Sequence, residues 1–555
     1  MYKKNVRMFF LLFLIPFFLG FFIAHLKTAA ASEDKRFESF ALSLFQKELT
    51  ANTLSLHYTL ANPASYNIHT YPITFGALPS YEKNKANQQK DDLAALQQVF
   101  HTFAYHELSY ENQLVYDILK LNLETESIWR SYPLLYEPLS PTLGIQAQLP
   151  ILLAEYTFRT EQDIKDYLAL LKELPNYFKK ILAFEQQKSK QQLFMSDRTA
   201  KRILAQCQAF IQIPQSNYLS SVFKDKITSC TFLSKEKKKD YLSQNNASIL
   251  NAVIPAYKLL CQGLTQLLGT GINPYGLFYY PNGKNYYLAL VRSTTGIYDS
   301  IETITDRLYR QLHVEYLTLM RLLKVYPDLP NQCQDEHTAQ QLDASASLML
   351  SHLQKQMSYD FPQIQAPSYS IKYVHKDLEP YLSPAFYLTP PIDLQSPNTI
   401  YINPYAKQKG LSLYANSGFV EGWATYIESY AYQYAPVSNE ISRYMSCNRS
   451  FYLCLYALLD IYIHYYGWTA KDSANYLHAL GITDASSQEE IYQTLIEDPA
   501  NYLKYCLGSL YIQDLKESMK EQKGNAFDTK EFHEQLLTIG PAPFPVLEKY
   551  LFSNY

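Results

Sequence analysis

Apolar residues recur at spacings of three and four through most of the N-terminal half of the chain. Within 36–60 the repeat comprises Phe37, Phe40, Leu44, Phe45 and Leu49. The same spacing returns in 91–132, 162–187 and 248–268. Because an α-helix brings residues three and four apart onto one face, these stretches predict amphipathic helices. We expect a break or kink at Pro175 inside the third stretch.

The pattern changes near Ile272. Two short apolar and aromatic runs, 275–280 and 286–291, flank the dipeptide Asn282-Gly283. Asn-Gly between two such runs is the usual signal of a two-residue β-turn, so this segment predicts a hairpin.

Three further runs, 370–374, 385–388 and 398–402, are rich in β-branched and aromatic residues and predict strands. From Gly418 to Tyr550 the helical spacing returns. The predicted fold is therefore mostly α, a helical body around a cleft with a small antiparallel sheet. We divide it into an N-terminal helical region, 32–270, and a C-terminal region, 271–555.

The first 31 residues have the layout of an export signal. Lys3, Lys4 and Arg7 precede the apolar run 8–24, and Ala29-Ala30-Ala31 offers a cleavage site. The run is also long enough for a tilted membrane span, so a cleaved signal peptide and an N-terminal anchor are both open. In either case the body is expected outside the cytoplasm, with the membrane contacted only through this segment.

The amino-acid composition limits the classes of function that the chain can have. The 555 residues carry a net charge of −3, which gives no electrostatic basis for binding nucleic acid. Seven cysteines form no C-x-x-C motif, and Cys447 and Cys454 are too far apart along a helix for a disulfide. Buried free thiols are expected, with one disulfide between distant residues left open.

Candidate chemistry centres on 419–428, Phe-Val-Glu-Gly-Trp-Ala-Thr-Tyr-Ile-Glu, which has the character of the second half of a zinc-peptidase site. Such a site needs two histidines one helical turn apart with a glutamate beside the first. His106-Glu107 and His533-Glu534 begin this pattern, but Tyr110 and Leu537 stand where the second histidine is required.

Five segments, in order, resemble the bacterial family named domain of unknown function 885. They are Tyr286-Tyr287, 291–296 (Val-Arg-Ser-Thr-Thr-Gly), 383–387 (Ser-Pro-Ala-Phe-Tyr), 401–404 (Tyr-Ile-Asn-Pro) and 421–426 (Glu-Gly-Trp-Ala-Thr-Tyr). The resemblance covers nearly the whole exported body and implies a fold like that of zinc metallopeptidases. It also implies an H-E-x-x-P-G-H helix between the fourth and fifth segments, and this chain has none. A segment thus looks deleted near Ala415, as in an inactive paralogue, a degenerating gene or an erroneous sequence.

The resemblance also suggests roles for individual residues. Glu421 matches the third metal ligand, here without its partners. Asp460 and His464 lie one helical turn apart, so the carboxylate could orient the imidazole. By resemblance, His464 and Tyr505 match catalytic positions in the cleft. Apart from the resemblance, the strand that contains Ala385, Phe386 and Tyr387 could pair with an extended peptide substrate, and Arg292 could meet a peptide carboxylate. Each also has an ordinary structural interpretation, such as a core histidine, a packed tyrosine or a surface ion pair.

These observations predict an exported protein like a zinc metallopeptidase, inactive as written, that holds no cofactor although intact relatives would hold zinc. The alternative is a non-enzymatic extracytoplasmic protein that binds peptides in the cleft. Peptides are the expected partners in both cases.

Overall fold

The computed structural model describes residues 33–333, 346–362, 369–373, 385–388, 391–393, 398–402, 418–435 and 437–553. The predicted signal or anchor and the expected deletion near Ala415 lie outside these residues. Within them, none of the helices is both long enough and apolar enough to cross a membrane.

The chain divides into two compact units. The first comprises Met1–Pro274 and Pro367–Tyr414, and the second comprises Tyr275–Ala366 and Ala415–Tyr555. This differs from the predicted division, because the segment that carries the strands belongs with the N-terminal unit. Asp393 explains part of that attachment, since its carboxylate accepts hydrogen bonds from the backbone N–H groups of Ala61 and Asn62 at 2.6 and 2.7 Å.

Helices make up most of the first unit. They are α1 (Glu33–Thr50), α2 (Thr53–Thr59), α3 (Lys83–Phe100), α4 (Tyr110–Trp129), α5 (Ile145–Glu155), α6 (Glu161–Lys190), α7 (Asp197–Ile211), α8 (Tyr218–Ser229), α9 (Lys235–Ser248) and α10 (Ile254–Leu267). Helix α6 starts at a capping box formed by Thr160 and Asp163 and continues through Pro175 to Lys190, so the proline does not end it. A π-helical turn, Ile249–Val253, leads into α10.

The core of the first unit lies along α6 and α10. Its most deeply buried side chains follow the predicted spacing and include Leu170, Leu171, Leu174, Phe178, Ile181, Leu260 and Leu264. Burying this apolar stripe is the main source of stability for such helices, and the prediction of amphipathic helices here is confirmed.

The three strands are β1 (Tyr369–Tyr373), β2 (Ala385–Leu388) and β3 (Asn398–Ile402). Their order is β1-β3-β2. The predicted antiparallel sheet is wrong. β2 pairs with β3 in antiparallel fashion, with Phe386 opposite Tyr401, but β1 lies parallel to β3, with Ile371 opposite Ile400. The strand positions follow from local residue preferences, whereas the pairing order is decided by contacts distant in sequence.

The second unit is also helical. It contains α11 (Gly283–Thr295), α12 (Ile301–Val325), α13 (Leu329–Gln332), α14 (Ala346–Met357), α15 (Gly418–Tyr432), α16 (Asn439–His464), α17 (Ala470–Ala479), α18 (Ala485–Glu497), α19 (Leu503–Lys523), α20 (Thr529–Ile539) and α21 (Phe544–Phe552). Helix α15 packs against α19, and α12 packs against α16. Leu455 and Leu458 on α16 and Leu507 on α19 are fully buried.

The predicted hairpin at 275–291 is wrong. A short 3₁₀ helix, Leu277–Tyr279, is followed by α11. Asn282 takes the left-handed conformation, with φ of 61°, but the chain then enters a helix instead of a second strand. The reason lies in the spacing of Tyr286, Tyr287 and Leu290, which share a buried helical face as well as they would fit a strand.

Candidate functional site around Glu421

Glu421 lies in the first turn of α15 and is almost completely buried. A charged neighbour of Glu421 is Lys504 near the start of α19, which is equally buried. The Nζ atom of Lys504 lies 4.0 Å from Oε1 of Glu421. Two opposite charges are therefore enclosed together in the interior of the second unit.

Burial is the main influence on the pKa of Lys504. Removal from water lowers the pKa of its ammonium group from 10.5 to about 8, although Glu421 and Asp498 oppose the shift. The group is therefore still mostly charged at neutral pH. It also lies 5.5 Å from the ring centroid of Tyr505, the next residue in the chain.

Three glycines explain how Glu421 comes to face Lys504. Gly418 and Gly422 on α15 cross α19 at Gly508, and a Cβ on Gly508 would lie 1.9 Å from the carbonyl oxygen of Gly418. A Cβ on Gly418 would lie 1.8 Å from the carbonyl oxygen of Thr295, at the end of α11. Only glycine permits such an approach of two backbones, so this crossing fixes where the first turn of α15 points.

Asp460 is a fully buried carboxyl group on α16 that joins three parts of the second unit. It accepts a hydrogen bond of 2.5 Å from the hydroxyl of Tyr287 on α11. Both of its oxygens also accept from the N–H of Ala500, which has a φ of 61°. Burial raises the pKa of Asp460 to about 8 against the effect of these bonds. Asp460 thereby anchors the turn that precedes α19 and Lys504.

His464 does not pair with Asp460 in the way the sequence suggested. Its Nδ1 accepts from the N–H of Leu277 at 3.0 Å, and its Nε2 lies 3.1 Å from the carbonyl oxygen of Leu495. The imidazole is therefore neutral with its proton on Nε2, and burial lowers its pKa to about 4. Both nitrogens are thus engaged by backbone groups, and a catalytic role for His464 stays a prediction.

The other predicted site residues are spread over the two units. Tyr505 is buried beside Lys504 in the second unit, and its catalytic role stays a prediction. Arg292 is partly exposed on α11, with its guanidinium 5.7 Å from the ring of Tyr298. Ala385, Phe386 and Tyr387 form β2, which belongs to the first unit.

Zinc fits this arrangement poorly. A zinc ion bound to Oε1 of Glu421 at about 2 Å would lie within about 6 Å of the Lys504 ammonium. The repulsion between these charges is at least about 5 kcal/mol at an effective dielectric constant of 20. Within the described residues, no group of three or more His, Cys, Asp or Glu side chains has the arrangement of a metal site.

Sequence reasoning missed Lys504. The available signal was a lysine in the otherwise apolar run that begins α19, where Leu503, Leu507 and Leu510 mark a buried stripe. A charged residue at such a position needs a partner, but the sequence does not say which one.

Comparison with known proteins gives a family and a fold. The family described as "Bacterial protein of unknown function (DUF885)" matches residues 73–414 and 409–551. Among curated proteins there is no match.

Two solved structures resemble nearly the whole chain. One is titled a "putative lipoprotein" from Colwellia psychrerythraea, with 17% identity and a TM-score of 0.78, covering 94% of this chain and 99% of the other. The second, from Shewanella oneidensis, is described in the same words with "unknown function" added. It has 15% identity and a TM-score of 0.62, and it covers 94% and 99% of the two chains. At these identities the likeness concerns the fold.

Proposed function

Because the chain belongs to the bacterial family of unknown function DUF885, we propose that it is an exported, non-catalytic relative of zinc metallopeptidases. In this proposal the ammonium of Lys504 provides the positive charge that a metal ion would otherwise bring to Glu421. The lipoprotein descriptions of its two structural neighbours support a location outside the cytoplasm.

The observation that carries the proposal is the enclosed pair of Glu421 and Lys504. An isolated buried carboxylate is strongly unfavourable, so a site that had lost its metal would need another counter-charge. Lys504 supplies one from within the chain. A metal ion and this ammonium would compete for the same carboxylate, and here the ammonium takes the place of the ion.

Two further observations support a loss of catalysis. The family match is split into two segments that overlap at 409–414, and the sequence between Asn403-Pro404 and α15 contains no H-E-x-x-P-G-H motif. Without those histidines, no metal would polarise a carbonyl group or lower the pKa of a bound water. His464 does not substitute for them, because both of its nitrogens are engaged.

Metal content and peptide hydrolysis test the proposal directly. We expect protein dialysed against zinc and then buffer to contain well under one zinc per chain by elemental analysis. We also expect no chelator-sensitive cleavage of a mixed peptide library. Stoichiometric zinc that the Glu421→Gln substitution removes, together with chelator-sensitive cleavage, would overturn it.

A graft tests separately whether the motif is missing and whether Lys504 competes with zinc. An H-E-x-x-P-G-H segment inserted between Ala415 and Asn416 should create zinc binding that depends on Glu421. If the ammonium competes with the ion, adding Lys504→Met to the graft should tighten zinc binding at least 10-fold. Lys520→Met, which removes an exposed lysine of the same helix, is the matched control and should leave zinc affinity unchanged.

A second candidate function, peptide binding, is favoured by the sheet. In the order β1-β3-β2, strand β2 pairs with β3 on one side, and an outer strand is a template for adding an extended peptide. Proline at Phe386 or Tyr387 tests this, because neighbouring N–H groups of a strand point to opposite sides. One substitution should weaken peptide binding without loss of stability, and the other should disturb pairing with β3. Equal affinity of both variants and the unaltered protein in fluorescence anisotropy would argue against it.

A further inference from the structure

Two cysteines that are distant in sequence meet inside the second unit. Cys454 lies in the middle of α16 and Cys506 in the first turn of α19, 52 residues later. Their Sγ atoms are 2.8 Å apart, and both residues are buried, Cys454 completely. A disulfide requires about 2.05 Å between the sulfur atoms, so a movement of less than about 1 Å would suffice.

We propose that Cys454 and Cys506 form a disulfide when the protein folds in an oxidising compartment. Its formation in the cell rests on the export that forms part of the proposed function, since disulfides persist outside the cytoplasm and are reduced within it. The geometric part of the inference is independent of export, because it concerns only which thiols the fold brings together.

The chemistry is thiol–disulfide exchange with a disulfide-bearing oxidant. The thiolate of one cysteine attacks a sulfur of the oxidant, forms a mixed disulfide and releases one thiol of the oxidant. The second cysteine then attacks the mixed disulfide and releases the other thiol. The two cysteines lose two electrons and two protons in total, and the oxidant becomes a dithiol. Because both sulfurs are buried in the folded unit, the exchange must precede the final closure of α16 on α19.

The bond would connect α16 to α19, the helix that carries Lys504 of the candidate site. Helix α16 carries Asp460, which anchors the Ala500 turn, and α19 carries Lys504. The closed loop includes α17 and α18 as well as this turn. A disulfide here would therefore hold the start of α19, where Lys504 lies, against α16 by a covalent constraint that the helix packing alone does not provide.

Peptide mapping tests the pairing. The full chain is unfolded in reductant, refolded in a glutathione redox buffer, alkylated under denaturing conditions and digested. We expect a linked peptide pair containing Cys454 and Cys506, with Cys230, Cys333 and Cys447 alkylated. Alkylation of both Cys454 and Cys506 in protein that has regained its helical circular dichroism would overturn the inference. The same map on protein from the exported fraction tests the compartment separately.

Thermal unfolding supplies the second measurement. A second thiol contact joins Cys207 and Cys261 in the first unit, so all variants carry Cys207→Ala. Reductant should lower the Tm of this parent and of Cys447→Ala, which lies on the same helix as Cys454. Cys454→Ala and Cys506→Ala should lose most of that sensitivity. Equal sensitivity of Cys447→Ala and Cys454→Ala would contradict the pairing.

Discussion

The buried pair of Glu421 and Lys504 should stabilise the fold through mutual neutralisation, and a double-mutant cycle can measure this. Lys504→Met and Glu421→Gln remove one charge each while nearly preserving side-chain volume. At 4.0 Å and an effective dielectric constant of 20, the attraction between the charges is about 4 kcal/mol. Each single substitution leaves the other charge buried, and we expect a loss of about 3 kcal/mol of unfolding free energy.

The double variant should lose much less than the sum of the two single variants. With neither charge present, no carboxylate or ammonium stays buried without its partner, so we expect a coupling energy of about 2–4 kcal/mol. Differential scanning calorimetry is the assay, because it measures the Tm and the unfolding enthalpy of each variant directly. For a unit of this size, 1 kcal/mol corresponds to about 2–4 °C in Tm.

An exposed pair on the same helix gives the matched control. Lys520 and Glu517 lie 3.3 Å apart, with their side chains more than half exposed. Because water and salt screen such a pair, its cycle should show a coupling below about 1 kcal/mol. If the Glu421–Lys504 coupling were equally small, the two charges would not be compensating each other, and the central argument of the proposed function would fail.

The pH dependence of the same variants gives an independent result. The pKa of Lys504 is about 8 when folded and about 10.5 when unfolded, so between these values the unfolded state binds more protons. The stability of the unaltered protein should therefore rise relative to Lys504→Met as pH increases from about 8 to 10.5. A difference that stays constant over this range would show that the lysine is not held in a strongly desolvating environment.

Three further predictions concern the frame around the pair. The pKa of His464 is about 4 in the folded protein and 6.5 in the unfolded chain, so unfolding between these pH values takes up a proton. The protein should therefore lose stability as the pH falls from 6.5 to 4, and in urea titrations His464→Gln should make this loss smaller. Gly508→Ala should lower the free energy of unfolding by at least about 2 kcal/mol in thermal unfolding, because the new Cβ would meet backbone atoms. Gly263→Ala is the control and should cost less, because its Cβ would meet only side-chain atoms of a leucine. Ala500→Gly should raise the unfolding free energy by up to about 1 kcal/mol by relieving the positive φ, and a decrease in chemical denaturation would contradict that reasoning.

Local signals in the sequence predicted the helices and the positions of the strands. The apolar repeat of α6 and the strand-forming residues of β1, β2 and β3 act over a few residues, so they can be read from short windows. The order β1-β3-β2 and the parallel pair could not be read in this way, because they depend on contacts across about 30 residues. The same limit explains why the hairpin prediction for 275–291 was wrong, because this segment carries both a turn signal and the apolar face of a helix.

In the site, too, only the residues with a local sequence signal could be predicted. Glu421 stands out because its flanking residues form a recognisable motif. Lys504 follows it by 83 positions, and only the crossing of α15 with α19 brings the two together. Likewise, His464 and Asp460 have the spacing of a pair on one helix, but distant backbone groups at Leu277 and Ala500 satisfy them instead.

The crossing also explains why Glu421 would keep its position without a metal ion. Gly418, Gly422 and Gly508 allow α15 and α19 to touch through their backbones, and this contact does not involve the Glu421 side chain. The direction of the first turn of α15 is therefore set by packing, not by ligation. A metal site held by such a frame could lose its histidines and keep the carboxylate in place, which leaves a buried negative charge to be balanced. Lys504 balances it from the neighbouring helix, so the proposed loss of catalysis requires no change of fold.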